Sequence, residues 1–270
     1  MADLQTSISG SLASAGALWR RALPRAWAPL LALTALNFAL SPAVHLPAIL
    51  LPAIIVADVI ALTLAYGALM RLALADRHLD HAEYQPGPAG LQWGGIETRV
   101  LGSIALLTLL ALLIVIAGVF AVLLVTIVVA AVTGAAPKGA ALAGPSLIAF
   151  WGVVAAAAAA AVWIFVRLSL AMPATVDRRQ VQVFSTWSLT KRCAPPLFIA
   201  LAIATLPTII LSVAARALQG VGPAGGAAIA LWGLYAAVAG LVQTPLIAGI
   251  SAWFYRRVGE SIANPTSDNP

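Results

Sequence analysis

Six stretches of the chain run for about twenty residues or more with almost no polar interruption: Ala26 to Leu46, Ala48 to Met70, Val100 to Thr133, Leu147 to Ala171, Ala194 to Ala214 and Ala227 to Tyr255. About 20 apolar residues carry an α-helix across the hydrocarbon core of a bilayer, so each stretch predicts a membrane-spanning helix. Strands of an outer-membrane barrel would alternate apolar and polar residues with a period of two. These runs are continuous and rich in Leu and Ala. The expected fold class is therefore all-α: a polytopic integral membrane helical bundle with six transmembrane helices and a cytoplasmic interfacial amphipathic helix.

Two runs fit less simply. Pro29 and Pro42 interrupt the first, which is either kinked or stops short of a full crossing. The third would extend about 50 Å at ~1.5 Å per residue, against a core of about 30 Å. It tilts, projects beyond the bilayer, or makes two short passes. Charge decides among these. With one pass, Arg20, Arg21, Arg25, Arg71, Arg77, Arg99, Arg167, Arg178, Arg179, Lys191, Arg192, Arg256 and Arg257 share one side, leaving only Lys138 and Arg216 on the other. That is the positive-inside bias of an inner (plasma) membrane protein with both termini in the cytoplasm. Trp19, Trp27 and Trp253 near the inner boundaries and Trp151 near an outer one fit an interfacial aromatic belt.

Composition closes off other classes. Only 9% of the 270 residues are charged, 62% are hydrophobic, and mean hydropathy is +1.00. A soluble domain carries roughly 25% charged residues to cover its surface. A soluble globule and a disordered chain are both excluded, and one Cys excludes a disulfide scaffold. A cleaved signal peptide is not expected, because the basic Arg20-Arg21 pair comes late and no small-x-small site follows it.

Outside the spans, residues 1–25 form an N-terminal segment in which Leu4, Ile8, Leu12, Leu18 and Trp19 recur at roughly helical spacing. It either lies in the interface or leads into the first span. The membrane domain covers 26–258, and the polar tail 259–270 is expected to be disordered. The segment Pro173 to Arg192 reads as one amphipathic helix, with Val176, Val183, Phe184 and Trp187 on one face and Asp177, Arg178, Arg179 and Gln182 around it. Arg178, Arg179, Trp187, Lys191 and Arg192 are the candidates for contact with anionic lipid or a protein partner; orientation and anchoring alone is the other reading.

Candidate chemistry is sparse. Asp58 is the one acid within the hydrocarbon segments, and an intramembrane carboxylate is costly enough to be a candidate proton or ion site. It is alternatively a protonated or hydrogen-bonded group inside the bundle. Polar Asn37, Thr63 and Tyr66 are candidates to hydrate it, and Arg167 is a candidate to pair with it if that side chain bends inward. Arg71 and Arg167 sit at helix ends from which long side chains snorkel to the interface. They also open two similar words, Arg71-Leu-Ala-Leu-Ala75 and Arg167-Leu-Ser-Leu-Ala171, which hint at a repeated hairpin. The pair His78 and His81, near Asp80 and Glu83, has no third ligand fixed elsewhere, so no metal is expected. No catalytic or cofactor-binding motif is present, so neither catalysis nor a cofactor is expected. Membrane lipids and a protein partner are the expected contacts, and nucleic acid is not.

The stretch Arg167-Leu-Ser-Leu-Ala-Met-Pro-Ala174, followed by Phe184-Ser-Thr-Trp-Ser-Leu-Thr-Lys191, resembles a motif of one bacterial family. This is the multi-pass membrane domain attached to some glycerophosphoryl diester phosphodiesterases, which also occurs alone. The family pattern is Arg-Leu-x-Leu-x-x-Pro, an acid, then Ser-Trp-x-Leu-Thr-Lys/Arg-Gly. Here Asp177 takes the place of the acid, Thr186 replaces Ser and Arg192 replaces Gly. The motif covers about 25 residues. These 270 residues contain no stretch polar enough for the phosphodiesterase barrel, so the resemblance implies no hydrolase activity. The expected function is a non-catalytic scaffold or accessory subunit, with a small transporter or channel using Asp58 as the alternative.

Overall fold

A computed structural model describes residues 2–75, 84–85, 87–133, 145–191, 193–219 and 225–263. His78, Asp80, His81 and Glu83 lie outside them, as does Arg192. Among the described residues every regular element is a helix, and there is no strand. Its helices are α1 (Ala2–Arg25), α2 (Trp27–Ala39), α3 (Leu51–Leu74), α4 (Gly95–Thr133), α5 (Pro145–Leu168), α6 (Ala171–Arg178), α7 (Thr186–Leu189), α8 (Ala194–Gln219), α9 (Gly225–Ala237) and α10 (Thr244–Ala263).

Among the described residues five helical stretches, not six, are long and apolar enough to cross a membrane: Ala48–Leu74, Pro88–Val128, Trp151–Arg178, Ala194–Gln219 and Gly226–Glu260. The first apolar run falls short. Its helix, α2, has 13 residues, about 20 Å at ~1.5 Å per residue. It stops before Pro42, whose ring permits no helical hydrogen bond there, and the chain turns through 40–47 before α3. The third run forms the single unbroken helix α4. Helix α10 continues to Ala263, into the segment 259–270, and residues 264–270 of that tail lie outside the described residues.

The chain divides into two compact units, one made of Ala105–Arg167 and the other of the segments on either side of it. The first is a pair of helical arms, α4 from Ala105 and α5 to Arg167. Exposed Leu112, Leu113, Val115, Ile116, Val119 and Phe120 lie on one broad side of α4, and Leu107, Leu110, Ile114 and Gly118 make the opposite side apolar as well. A helix apolar all round has no polar face to turn toward water. The two arms approach where Gly118 faces Ala157.

In the second unit α1 packs along α10, α8 and α3. Its buried stripe is Ser11, Ala15, Leu18 and Ala22, one helical face that is offset from the expected Leu4, Ile8 and Leu12 line. Small residues let the backbones close up: a Cβ on Gly249 would stand 2.6 Å from Ala15 Cα, and one on Gly10 would stand 3.0 Å from the Trp253 ring. Between α9 and α10 the helix widens to a π-helical turn at Val238–Gln243. There Trp19 Nε1 donates to the Leu241 carbonyl at 2.8 Å, occupying an acceptor of the widened turn. The N-terminal helix is thus an internal packing element of this unit.

Candidate functional site

Four buried polar side chains that bond across helices, Arg71, Glu97, Ser103 and Thr175, lie on the C-terminal half of α3, the start of α4 and α6. Arg71 and Glu97 are 2% and 1% exposed. Arg71 Nε donates to Glu97 Oε1 at 3.1 Å, and Nη2 reaches Oε1 at 2.7 Å and Oε2 at 2.5 Å. Glu97 Oε2 also accepts the Gly94 backbone N–H at 2.9 Å. Gly94 caps α4, since its carbonyl accepts the Thr98 N–H. Glu97 therefore supplies the reach-back half of a capping box and places its charge at the favourable end of the helix. Gly67 makes room for it, because a Cβ there would lie 2.5 Å from Oε1.

Arg71 does not snorkel. An acid from the next helix lies within reach, and pairing inside the protein replaces the solvation that the interface would otherwise provide. Arg167, which opens the similar word, has its guanidinium 4.8 Å from the Trp163 ring centroid and is half-buried. The two copies of the word therefore meet different surroundings.

The segment 171–191 is not one amphipathic helix. Helix α6 ends at Arg179, whose backbone is left-handed (φ 54°, ψ 29°), and the chain folds back before α7. The fold-back is pinned by Thr175, whose Oγ1 accepts the Gln182 N–H at 3.0 Å and lies 2.9 Å from buried Ser103 Oγ on α4. Tyr84 Oη donates to the Val176 carbonyl at 3.0 Å, and Tyr255 Oη donates to Asp177 Oδ2 at 2.7 Å, beside Arg178. Ala171 to Val176 are consequently buried. Val176 and Val183 face inward, whereas Phe184 (67%) and Trp187 (42%) face outward, so the four do not form the single apolar face that their spacing predicts.

What remains outward is a short rim. Arg178, Arg179 and Lys191 are exposed together with Val181, Phe184 and Trp187. The rim follows one candidate span (Trp151–Arg178) and ends just before another (Ala194–Gln219). Cations and aromatic rings mixed in this way suit the headgroup layer, where rings bury their faces and cations meet phosphate.

Asp58 stands apart from this polar frame. It lies on α3 among exposed Ile55, Val56 and Ile60, and its Oδ1 is shielded from solvent without a hydrogen-bond partner among the described residues. Asn37 and Thr63 do not supply one: their side chains donate to the Leu33 and Val59 carbonyls of their own helices. Among the described residues no three metal-ligating side chains come together.

Sequence reasoning missed Glu97 and Tyr255. The signal for Glu97 was present, as an acid in the first turn of one apolar run following an arginine in the last turn of the run before it. Nothing local marks Tyr255, which meets Asp177 from 78 residues away. No protein-family model, curated protein or solved structure matches the chain.

Proposed function

We propose that this chain is a non-catalytic, multi-pass protein of a bacterial-type inner membrane. On this reading it acts as a scaffold or accessory subunit that meets anionic lipid and a protein partner through the rim at 178–191. The carrying observation is how the polar groups are divided. Arg71 with Glu97, Ser103 with Thr175 and Asp177 with Tyr255 are engaged in pairs, while exposed cations and aromatic rings lie side by side on the segment 178–191 next to a candidate span. A frame of that kind holds a surface in place; a hydrolase or transferase needs an acid or base free to exchange protons with substrate. The likeness of 167–191 to the membrane domain attached to some glycerophosphoryl diester phosphodiesterases supports the same role, since it covers the segment that carries the rim.

Topology follows from charge. If α2 together with 40–47 completes the first crossing, both termini and the rim lie on the cytoplasmic side, where thirteen of the fifteen basic residues gather. The decisive experiment is extraction from the native membrane into nanodiscs, followed by mass spectrometry of what is retained. A stoichiometric protein partner or retained anionic lipid, lost when Arg178 and Lys191 are neutralised, is the expected result. Retention of neither would overturn the proposal.

One observation favours a second reading. The unpartnered Oδ1 of Asp58 within a candidate span suits a proton or cation site of a small transporter or channel. Asp58→Asn would then abolish flux into proteoliposomes while leaving the fold intact, and equal flux from both proteins would remove this reading.

A further inference from the structure

The left-handed backbone at Arg179 carries more than a turn. Among the described residues only Ala89 and Arg179 combine a side chain beyond hydrogen with positive φ. A helix that ends in this conformation favours glycine, which has no Cβ to crowd the preceding carbonyl. The fold-back needs the conformation, because Gln182 must reach Thr175 inside the last turns of α6. It does not need the arginine. The Arg179 side chain is exposed and makes no hydrogen bond or ion pair among the described residues. A bulky cation thus occupies a position where the backbone favours glycine, and it contributes nothing to the internal bonding.

We infer that Arg179 is the recognition residue of a binding site for the phosphate of an anionic phospholipid, with Arg178 and Lys191 as flanking cations and Phe184 and Trp187 as the aromatic edge set among the headgroups. This rests on the proposed role of the rim and names its ligand and principal residue. Arg179 is exposed at the C-terminal end of α6, and the neighbouring Asp177 accepts from Tyr255. The planar fork of donors matches two phosphate oxygens at once. The exposed rings beside it fix the depth, because the segment joins two candidate spans and a ring 67% exposed is better placed among headgroups than in water. A lipid surface is favoured over an acidic protein by that apolar edge.

The test uses the full chain in nanodiscs of phosphatidylcholine with a minor share of phosphatidylglycerol. Native mass spectrometry counts retained phosphatidylglycerol, and a thermal melt reports the fold. Arg179→Gly and Arg179→Gln are expected to lower phosphatidylglycerol retention about fivefold, as loss of one interfacial cation does. Arg179→Gly should melt no lower than the parent, and Arg179→Lys should keep more than half of the retention. If Arg179→Gly retains lipid as the parent does while Arg178→Gln with Lys191→Gln does not, the assignment of Arg179 fails and the rim stands. If none of these variants changes retention, the lipid reading of the whole rim fails. A fall in melting temperature with Arg179→Gly would also overturn the inference, since the side chain would then be structural.

Discussion

Arg71 and Arg179 each end a helix, and the two regions around them treat the same charge in opposite ways. Arg71 is enclosed, with its guanidinium divided between the two oxygens of Glu97. Arg179 is exposed on a strained turn. The difference lies in what the fold brings within reach. Where an acid and a capped helix start converge on the arginine, desolvation is offset by pairing and the charge becomes part of the architecture. Where nothing converges, the charge remains available to something outside the chain.

The largest effect should come from breaking the enclosed region. Glu97→Ala leaves Arg71 buried and unpaired and removes the reach-back to Gly94, at a cost of about 3–5 kcal/mol. A thermal melt in detergent or nanodiscs should show it as a large fall in midpoint or a failure to accumulate. Replacing both partners, with Arg71→Met and Glu97→Leu, should recover most of that loss, because no charge is then stranded. If the double variant is no better than the single one, the pair does more than neutralise itself. Gly67→Ala probes the same region from its other wall. The added methyl meets the Glu97 carboxylate, and overpacking of this kind costs about 1–3 kcal/mol. A midpoint equal to the parent's would mean that the carboxylate has room to move.

Legibility in the sequence divides along the same line. Uninterrupted apolar runs foretold α4, α5 and α8, because a long span needs nothing but its own residues to be recognised. The first run misled because Pro42 ends a helix that composition alone would continue. The segment 173–192 misled more seriously. Val176, Val183, Phe184 and Trp187 have helical spacing, yet the left-handed residue at 179 ends the helix and sends two of the four outward. Its polar anchors come from Ser103 and Tyr255, 72 and 78 residues away from their partners, and no local pattern encodes such distances. The exposed cations of the rim were legible because they require no partner within the chain.

Those distant anchors set the next prediction. Tyr255→Phe and Ser103→Ala each remove one hydrogen bond that ties α6 to another helix, and each should cost about 1 kcal/mol. Their consequence for the rim is more informative than their size. If α6 holds the rim in position, either variant should loosen it, measured as faster amide exchange at 180–189 than in the parent while exchange in α8 stays the same. Equal exchange across 180–189 would separate the rim from its frame and show that the turn at Arg179 holds by itself.

The smallest expected effect on the fold is that of salt, and it sharpens the comparison most directly. Exposed charges lose most of their attraction once the Debye length falls below their separation, from about 10 Å at 0.1 M to about 3 Å at 1 M. A pair at 2.5 Å with both members almost wholly buried has no room for ions between its charges. Raising sodium chloride over that range should therefore leave the melting midpoint nearly unchanged while lowering retention of anionic lipid several-fold. A midpoint that fell steeply with salt would mean that the Arg71–Glu97 region is open to solvent. Lipid retention indifferent to salt would mean that Phe184 and Trp187, rather than the arginines, supply the hold on the membrane surface.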